Sequence, residues 1–302
     1  REGEAEETVI VTADRPTYAL EAEHLADCLP QLEARWPAMG WQDSLANARA
    51  LARSNLDYVL IDMEHTAFDM ETLQNFLLGM TDKQAIARQG NTQMRTTPFV
   101  RIPVNGRNDP EWIVKQVLDI GVMGIMFPYI ETGEQAQRAV SAMRYPQPRG
   151  AAQPTPIGVR GSSPAVATWY WGVPGYTQRA DVWPLNPQGE LLAILQIESA
   201  KGVENAEAII TTPGVGFVFL GPSDLSMSMG LPGSSPEVQA AIAKVLGLCK
   251  KHNMPCGTLS SSTDAAAKVT AGWRASTVGY WGDAGIGGDV EKALASARHR
   301  GW

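Results

Sequence analysis

From about residue 57 onward, apolar positions fall into two alternating patterns. Runs that are nearly continuous in apolar residues, at 57–62 (DYVLID), 98–102 (PFVRI), 123–127 (MGIMF), 191–197 (LLAILQI), 215–220 (VGFVFL), 254–259 (MPCGTL) and 276–280 (STVGY), read as strands buried on both faces. Between them the spacing becomes helical. Leu73, Phe76, Leu77 and Met80 follow an i, i+3, i+4, i+7 pattern, and Asp109 with Pro110 is placed to start a helix carrying Val114, Val117 and Leu118. Thr132 and Gln135 have the form of a capping box, and Ser235 with Pro236 opens a helix whose stripe is Val238, Ile242, Val245 and Cys249. Repeated strand-then-helix units imply a parallel sheet, and the chain after residue 40 is close to the roughly 250 residues of an eightfold barrel. The expected fold is α/β, a (β/α)8 TIM barrel, with residues 41–302 as one domain.

Two segments fit this pattern poorly. Residues 1–40 are set apart as an N-terminal extension: Leu25, Cys28, Leu29 and Leu32 have helical spacing, but Pro30 interrupts it, so a broken helix and an arm lying on a neighbour both fit. Residues 146–190 are rich in Pro, Gly and aromatics, include TWYWGVPGY at 168–176, and are too long for an ordinary connection. Loops of that length are commonly functional or interfacial.

Composition narrows the partners. A formal net charge of −7 argues against nucleic acid, whose backbone needs clustered Lys and Arg. No apolar run approaches the roughly 20 residues of a membrane helix, so no membrane partner is expected. The polar, acidic opening REGEAEE is not a signal sequence; a cytoplasmic location is the default, and a removed leader is compatible with Arg1. Cys28, Cys249 and Cys256 are too few for a disulfide framework and read as buried thiols. His24, His65, His252 and His299 lack the HExxH spacing of zinc proteases.

Candidate chemistry collects where the strands end, because C-terminal strand ends converge on the active site of a parallel α/β barrel. Glu198 directly follows LLAILQI, and Asp224 comes four residues after VGFVFL, past a Gly-Pro turn. Two carboxylates drawn together raise a pKa unless a metal, an arginine or a shared proton compensates. A hard divalent ion suits such a pair and leaves positions for water or a chelating substrate. Both residues also read simply as acidic groups at helix N-termini. VLIDMEH puts Asp62, Glu64 and His65 after another strand, and PFVRIP puts Arg101 at the end of a third. An arginine facing an acidic site can hold a carboxylate or an oxygen that becomes negative. A neutral imidazole suits general-base work, although a structural histidine fits the position of His65 too. Asp119 ends a helix, where negative charge meets the wrong end of the dipole and calls for a specific partner.

In chain order, DYVLIDMEHTAFD, PFVRIP, IVKQVLDIGVMGIMFPYIETGEQAQRAVSAMRYP, LLAILQIESAKGVENAEAI and GVGFVFLGPSDLSMSMGLPG cover most of residues 57–245. The set resembles the HpcH/HpaI family of class II pyruvate aldolases, whose superfamily includes macrophomate synthase. The resemblance implies a barrel whose last helix is exchanged between subunits, assembled as a homo-oligomer, a trimer or hexamer. It implies Glu198 and Asp224 as ligands of a divalent metal, Mg²⁺ or Mn²⁺ first, with Co²⁺ and Zn²⁺ admissible. Gln196, the backbone near Ser223, and Leu259 would contact the bound 2-oxo acid. Arg101 would hold the enolate oxygen, and His65 would assist proton transfer, paired with Asp62 or with Asp119. The reaction implied is cleavage or formation of a 4-hydroxy-2-oxo acid through a pyruvate enolate, with a small-molecule 2-oxo acid and an aldehyde as reactants. A Lewis acid and an arginine neutralise charge at the C2 oxygen, so no lysine Schiff base is needed.

The chain also departs from that pattern. Of the family's first strand only Gly40 and Trp41 remain as an echo, while 83–96 and 146–161 lengthen two connections. Trp169, Tyr170 and Trp171 read as packing or a subunit contact, or as a wall for the aldehyde. The Gly-rich 279–290 matches no complete phosphate-binding fingerprint. Rival readings are oxaloacetate decarboxylation, a citrate lyase β-like acyl-CoA lyase, and a non-catalytic metal- or ligand-binding barrel.

Overall fold

The computed structural model describes residues 31–35, 41–54, 56–66, 68–104, 109–261 and 263–281. Among the described residues, nine strands form one parallel sheet: β1 (Gln31–Arg35), β2 (Tyr58–Asp62), β3 (Thr97–Arg101), β4 (Gly124–Phe127), β5 (Val182–Trp183), β6 (Leu191–Ile197), β7 (Phe217–Leu220), β8 (Cys256–Leu259) and β9 (Ala275–Trp281). The helices before β6 are α1 (Trp41–Ala52), α2 (Met70–Gly79), α3 (Lys83–Gln89), α4 (Glu111–Ile120), α5 (Gly133–Met143), α6 (Ala165–Trp171) and α7 (Tyr176–Arg179). After it come α8 (Ala200–Glu204), α9 (Ala206–Ile210), α10 (Pro222–Met229), α11 (Pro236–Lys251) and α12 (Ala265–Ala271). No helix among the described residues is long and apolar enough to cross a membrane.

Strand neighbours follow the order β4-β3-β2-β1-β9-β8-β7-β6-β5, and β4 also pairs with β6. The two ends of the main run therefore meet, with the two-residue β5 added to β6. The result is an α/β fold on a parallel, barrel-like sheet in which strand C-termini share one rim. Every residue of β4, β6 and β7 is buried, as their unbroken apolar runs require.

One strand differs from the sequence reading. Gln31–Arg35 lies in the segment set apart as an extension, yet it pairs with β2 on one side and β9 on the other. QLEAR lacks a continuous apolar run, so its strand character comes from two flanking partners rather than from local preference. Leu32 thus belongs to the sheet and not to a helical stripe. Leu25, Cys28, Leu29, Pro30 and Gly40, the Gly-rich stretch beyond Trp281 and the exchanged last helix lie outside the described residues.

Helix signals translate with one shift. Asp69 caps α2 by accepting from Thr72 N–H, and Leu73, Phe76 and Leu77 are buried. Thr132 caps α5 through Gln135 N–H, while the Gln135 side chain reaches back to Glu131 N–H at 2.7 Å. Ser235 caps α11, with Pro236 in its first turn and Val238, Val245 and Cys249 buried. In α4, however, Pro110 rather than Asp109 occupies the cap position. The Asp109 carboxyl instead hydrogen-bonds Glu111 and pushes the Glu111 carboxyl above its ordinary range.

Two buried arginines hold the long segment 146–190. Arg144, fully buried, donates through Nε and Nη2 to both oxygens of Asp181 at 2.7 and 3.0 Å, and also to the Pro156 and Gln153 carbonyls. Arg160 lies over the Tyr145 ring, 4.4 Å from its centroid, and donates to Asp119 at 2.9 Å and to the Tyr176 hydroxyl at 3.0 Å. The aromatic cluster packs below α4: Trp171 Nε1 donates to Gly121 O at 2.8 Å, and a Cβ at Gly121, whose φ is 116°, would sit 2.7 Å from the Tyr170 ring. The connection is a packed structural element.

Removing one member of a buried ion pair strands the other charge, at a typical cost of about 3–5 kcal/mol. Asp181→Ala is therefore expected to lower the unfolding free energy in urea by about that amount. The paired Arg144→Met, Asp181→Leu variant should lose clearly less; equal losses would contradict the buried-charge account.

Candidate active site

The rim starts with a register. Parallel pairing of β2 with β3 sets Asp62 directly opposite Arg101, each the last residue of its strand. Arg101 grips the Asp62 carboxylate with both arms of its fork, Nε to Oδ1 at 3.0 Å and Nη2 to Oδ2 at 2.5 Å. Burial works to raise the Asp62 pKa, but this fork and the backbone N–H groups of His65 and Glu64 hold it below its ordinary value. Glu64 completes the cluster: its Oε2 lies 3.4 Å from Arg101 Nε and 3.5 Å from His65 Nε2.

Across the rim, β6 delivers Gln196 and Glu198, both buried. The Gln196 amide donates to Glu198 Oε2 at 2.5 Å, and Tyr129 N–H donates to Glu198 Oε1 at 2.9 Å. Tyr129, just past β4, has a φ of 53°, a left-handed conformation that a non-glycine residue adopts only under surrounding constraint. From there its hydroxyl also donates to Asp224 Oδ1 at 3.4 Å, in the first turn of α10, so one residue spans both candidate carboxylates. Gly221, between β7 and α10, leaves the room they need: a Cβ there would sit 2.4 Å from Glu198 Oε2 and 3.0 Å from Gln196 Nε2.

Glu198 and Asp224 thus share one residue, Tyr129, and Asp62, Glu64, His65 and Arg101 share a second cluster; Glu64 and Arg101 both act electrostatically on Glu198. His65 keeps a side chain 55% exposed and meets Glu64 rather than Asp62, which receives only its backbone N–H. Asp119 does not join them within this chain. It stands at the far end of α4, beside the N-terminal strand ends, where Arg160 is the partner its unfavourable helix position demanded. Leu259 ends β8, its carbonyl accepting from Lys268, and the Ser223 carbonyl accepts from Ser226. The aromatic cluster, packed on Gly121 and Met94, lies at the opposite end from Arg101 and forms no wall of the rim. The residue that sequence reasoning missed is Tyr129. It sits in the quoted FPYIET phrase, but nothing in its letters signals a positive φ.

Burial is the main force on Glu198 and pushes its carboxyl to about 8; Asp224 and Glu64 push the same way, against the Tyr129 N–H and Arg101. The donor chemistry fits a hard divalent cation. Asp224 acts electrostatically on Glu198, positive charge would relieve the penalty on Glu198, and the buried Gln196 Oε1 has no hydrogen-bond partner among the described residues. Those residues hold no group of three His, Cys, Asp or Glu that could bind a metal, so water or a chelating ligand would complete the shell.

The Glu198 shift has a sign that can be measured. The folded state holds this proton up to about pH 8 and the unfolded state only to about 4.5, so it favours folding most at low pH. In the presence of a chelator, Tm should therefore fall as pH rises from about 4.5 to about 8, and Glu198→Gln should flatten that slope. An unchanged slope in the variant would contradict the assignment.

Comparison with known proteins identifies the family. Residues 42–283 match the HpcH/HpaI aldolase/citrate lyase family. The 5-keto-4-deoxy-D-glucarate aldolase of Citrobacter koseri is 34% identical over 272 residues, 88% of this chain and 93% of that protein. The crystal structure of an HpcH/HpaI aldolase/citrate lyase family protein from Burkholderia cenocepacia J2315 superposes with a TM-score of 0.68 at 32% identity, covering 86% of this chain and 91% of the other. Macrophomate synthase superposes with a TM-score of 0.62 at 25% identity, over 86% of this chain and 80% of its own. With the family matched over most of its length and relatives above 30% identity along nearly all of it, the chain belongs to the HpcH/HpaI aldolase/citrate lyase family.

Proposed function

We propose that the chain is a metal-dependent aldolase that cleaves 4-hydroxy-2-oxo acids to pyruvate and an aldehyde. The observation that carries this reading is the rim itself, where a pair of carboxylates spanned by Tyr129 faces an arginine fixed by Asp62. Relatives named 5-keto-4-deoxy-D-glucarate aldolase support the substrate class, since that diacid, numbered from its oxo end, is a 4-hydroxy-2-oxo acid. A divalent cation, Mg²⁺ or Mn²⁺, held by Glu198 and Asp224 would supply Lewis acidity to the 2-oxo acid.

This chain's own residues do the rest. Arg101, oriented by its fork on Asp62, stabilises the negative charge that grows on the C2 oxygen as the C3–C4 bond breaks. The electron pair of that bond becomes the enolate, and protonation at C3 then gives pyruvate. His65, exposed and adjacent to Glu64, removes the proton from the C4 hydroxyl as the aldehyde forms. Gln196, the backbone near Ser223, and Leu259 surround the 2-oxo acid; Asp119 serves structure rather than proton transfer. The pairings of β1 with β9 and of β4 with β6 support a closed (β/α)8 barrel. We extend this to a last helix exchanged between subunits of a trimer or hexamer.

Two variants test the proposal in an assay of pyruvate release from 5-keto-4-deoxy-D-glucarate. Glu198→Ala or Asp224→Ala should abolish stimulation by Mg²⁺ or Mn²⁺, and full stimulation in the double variant would refute the metal assignment. Arg101→Lys keeps the charge and loses the fork, so kcat/KM should fall about 10²- to 10³-fold. Near-normal turnover would exclude Arg101 from enolate binding.

A further inference from the structure

Two segments, 83–96 and the aromatic part of 146–190, meet at the N-terminal strand ends, far from the rim. Between them lies a cavity of about 360 Å³, at the small end of the range for small-molecule sites. Leu78, Met80, Ile86, Met94, Trp169 and Tyr170 give it an apolar and aromatic lining. Trp169 is 71% exposed, and the Tyr170 hydroxyl is already satisfied on Met94 Sδ at 3.0 Å.

The polar lining is lopsided. Gln93 Nε2 is buried and has no hydrogen-bond partner among the described residues. Lys83 adds positive charge, whereas the one acidic lining residue, Asp82, is occupied in accepting from Gln84 N–H, Ala85 N–H and Arg53. Packing alone does not account for a space of this size beside an unpaired buried amide, because each carries a cost that a filled cavity would remove.

We infer that this cavity is a binding site for a small organic anion with an aromatic body. The body lies among Trp169, Tyr170 and Met94, an anionic oxygen accepts the Gln93 amide hydrogen, and Lys83 balances the charge. The site is separate from the rim: Thr96 immediately precedes β3 and lines the cavity, whereas Arg101, at the other end of the strand, does not.

The test uses 8-anilinonaphthalene-1-sulfonate as probe, titrated into the full-length protein with Mg²⁺ present and followed by its emission and by energy transfer from tryptophan. Saturable binding of one probe per chain, not displaced by pyruvate, is expected. Trp169→Phe should reduce the energy transfer, and Gln93→Leu should weaken binding about 5- to 10-fold, the value of one lost hydrogen bond. Ala85→Trp, which fills the cavity from the surface helix α3, should abolish binding while keeping a wild-type thermal transition. If that variant does not fold, the Gln93→Leu titration decides alone. Absence of saturable binding, displacement by pyruvate, or unchanged affinity in Gln93→Leu overturns the inference.

Discussion

Glu198 is a carboxyl group only 2% exposed, with Tyr129 N–H on one oxygen and the Gln196 amide on the other, and burial pushes it to about 8. A carboxyl so placed is either protonated or accompanied by positive charge. That requirement organises the rim. Asp224 adds a second negative group through the same Tyr129, which sharpens the need for a cation, while Asp62 turns Arg101 into a fixed donor rather than a mobile counter-ion. Proteins bear such a cost where the site is meant to be completed by something else, and a divalent ion with a chelating 2-oxo acid meets the description.

The opposite end of the sheet is governed by different physics. There Arg144 with Asp181 and Arg160 with Asp119 form buried ion pairs that tie a long, Pro-rich connection to the fold. In parallel α/β barrels generally, chemistry lies at the C-terminal strand ends and stability at the N-terminal ends. The division also explains why acidic residues similar in sequence context have different fates: Asp62 ends a strand and meets the rim, whereas Asp119 ends a helix and is carried to the far side.

Much of this was legible in the sequence because strand ends announce themselves. Glu198, Asp224, Asp62 and Arg101 each follow an apolar run, and parallel pairing alone brings such positions together. Residues whose role depends on non-local geometry were harder to read. β1 has no apolar run and is a strand only because β2 and β9 flank it. Tyr129 acts through an unusual φ that one sequence does not encode visibly, and the ring of His65 turned to Glu64 because Arg101 had already taken Asp62. The Trp169–Trp171 cluster looked available to the aldehyde until the fold placed it beside Gly121 and Met94.

The central claim is that this rim stabilises a pyruvate enolate with the help of a divalent cation. Hydrogen-to-deuterium exchange at the methyl group of pyruvate, followed by NMR after chelation and again after addition of Mg²⁺ or Mn²⁺, tests it without any choice of aldehyde. The account predicts exchange that is absent in chelator, restored by metal, and lost in Glu198→Ala. Exchange that is independent of metal, or absent with every metal, would contradict it.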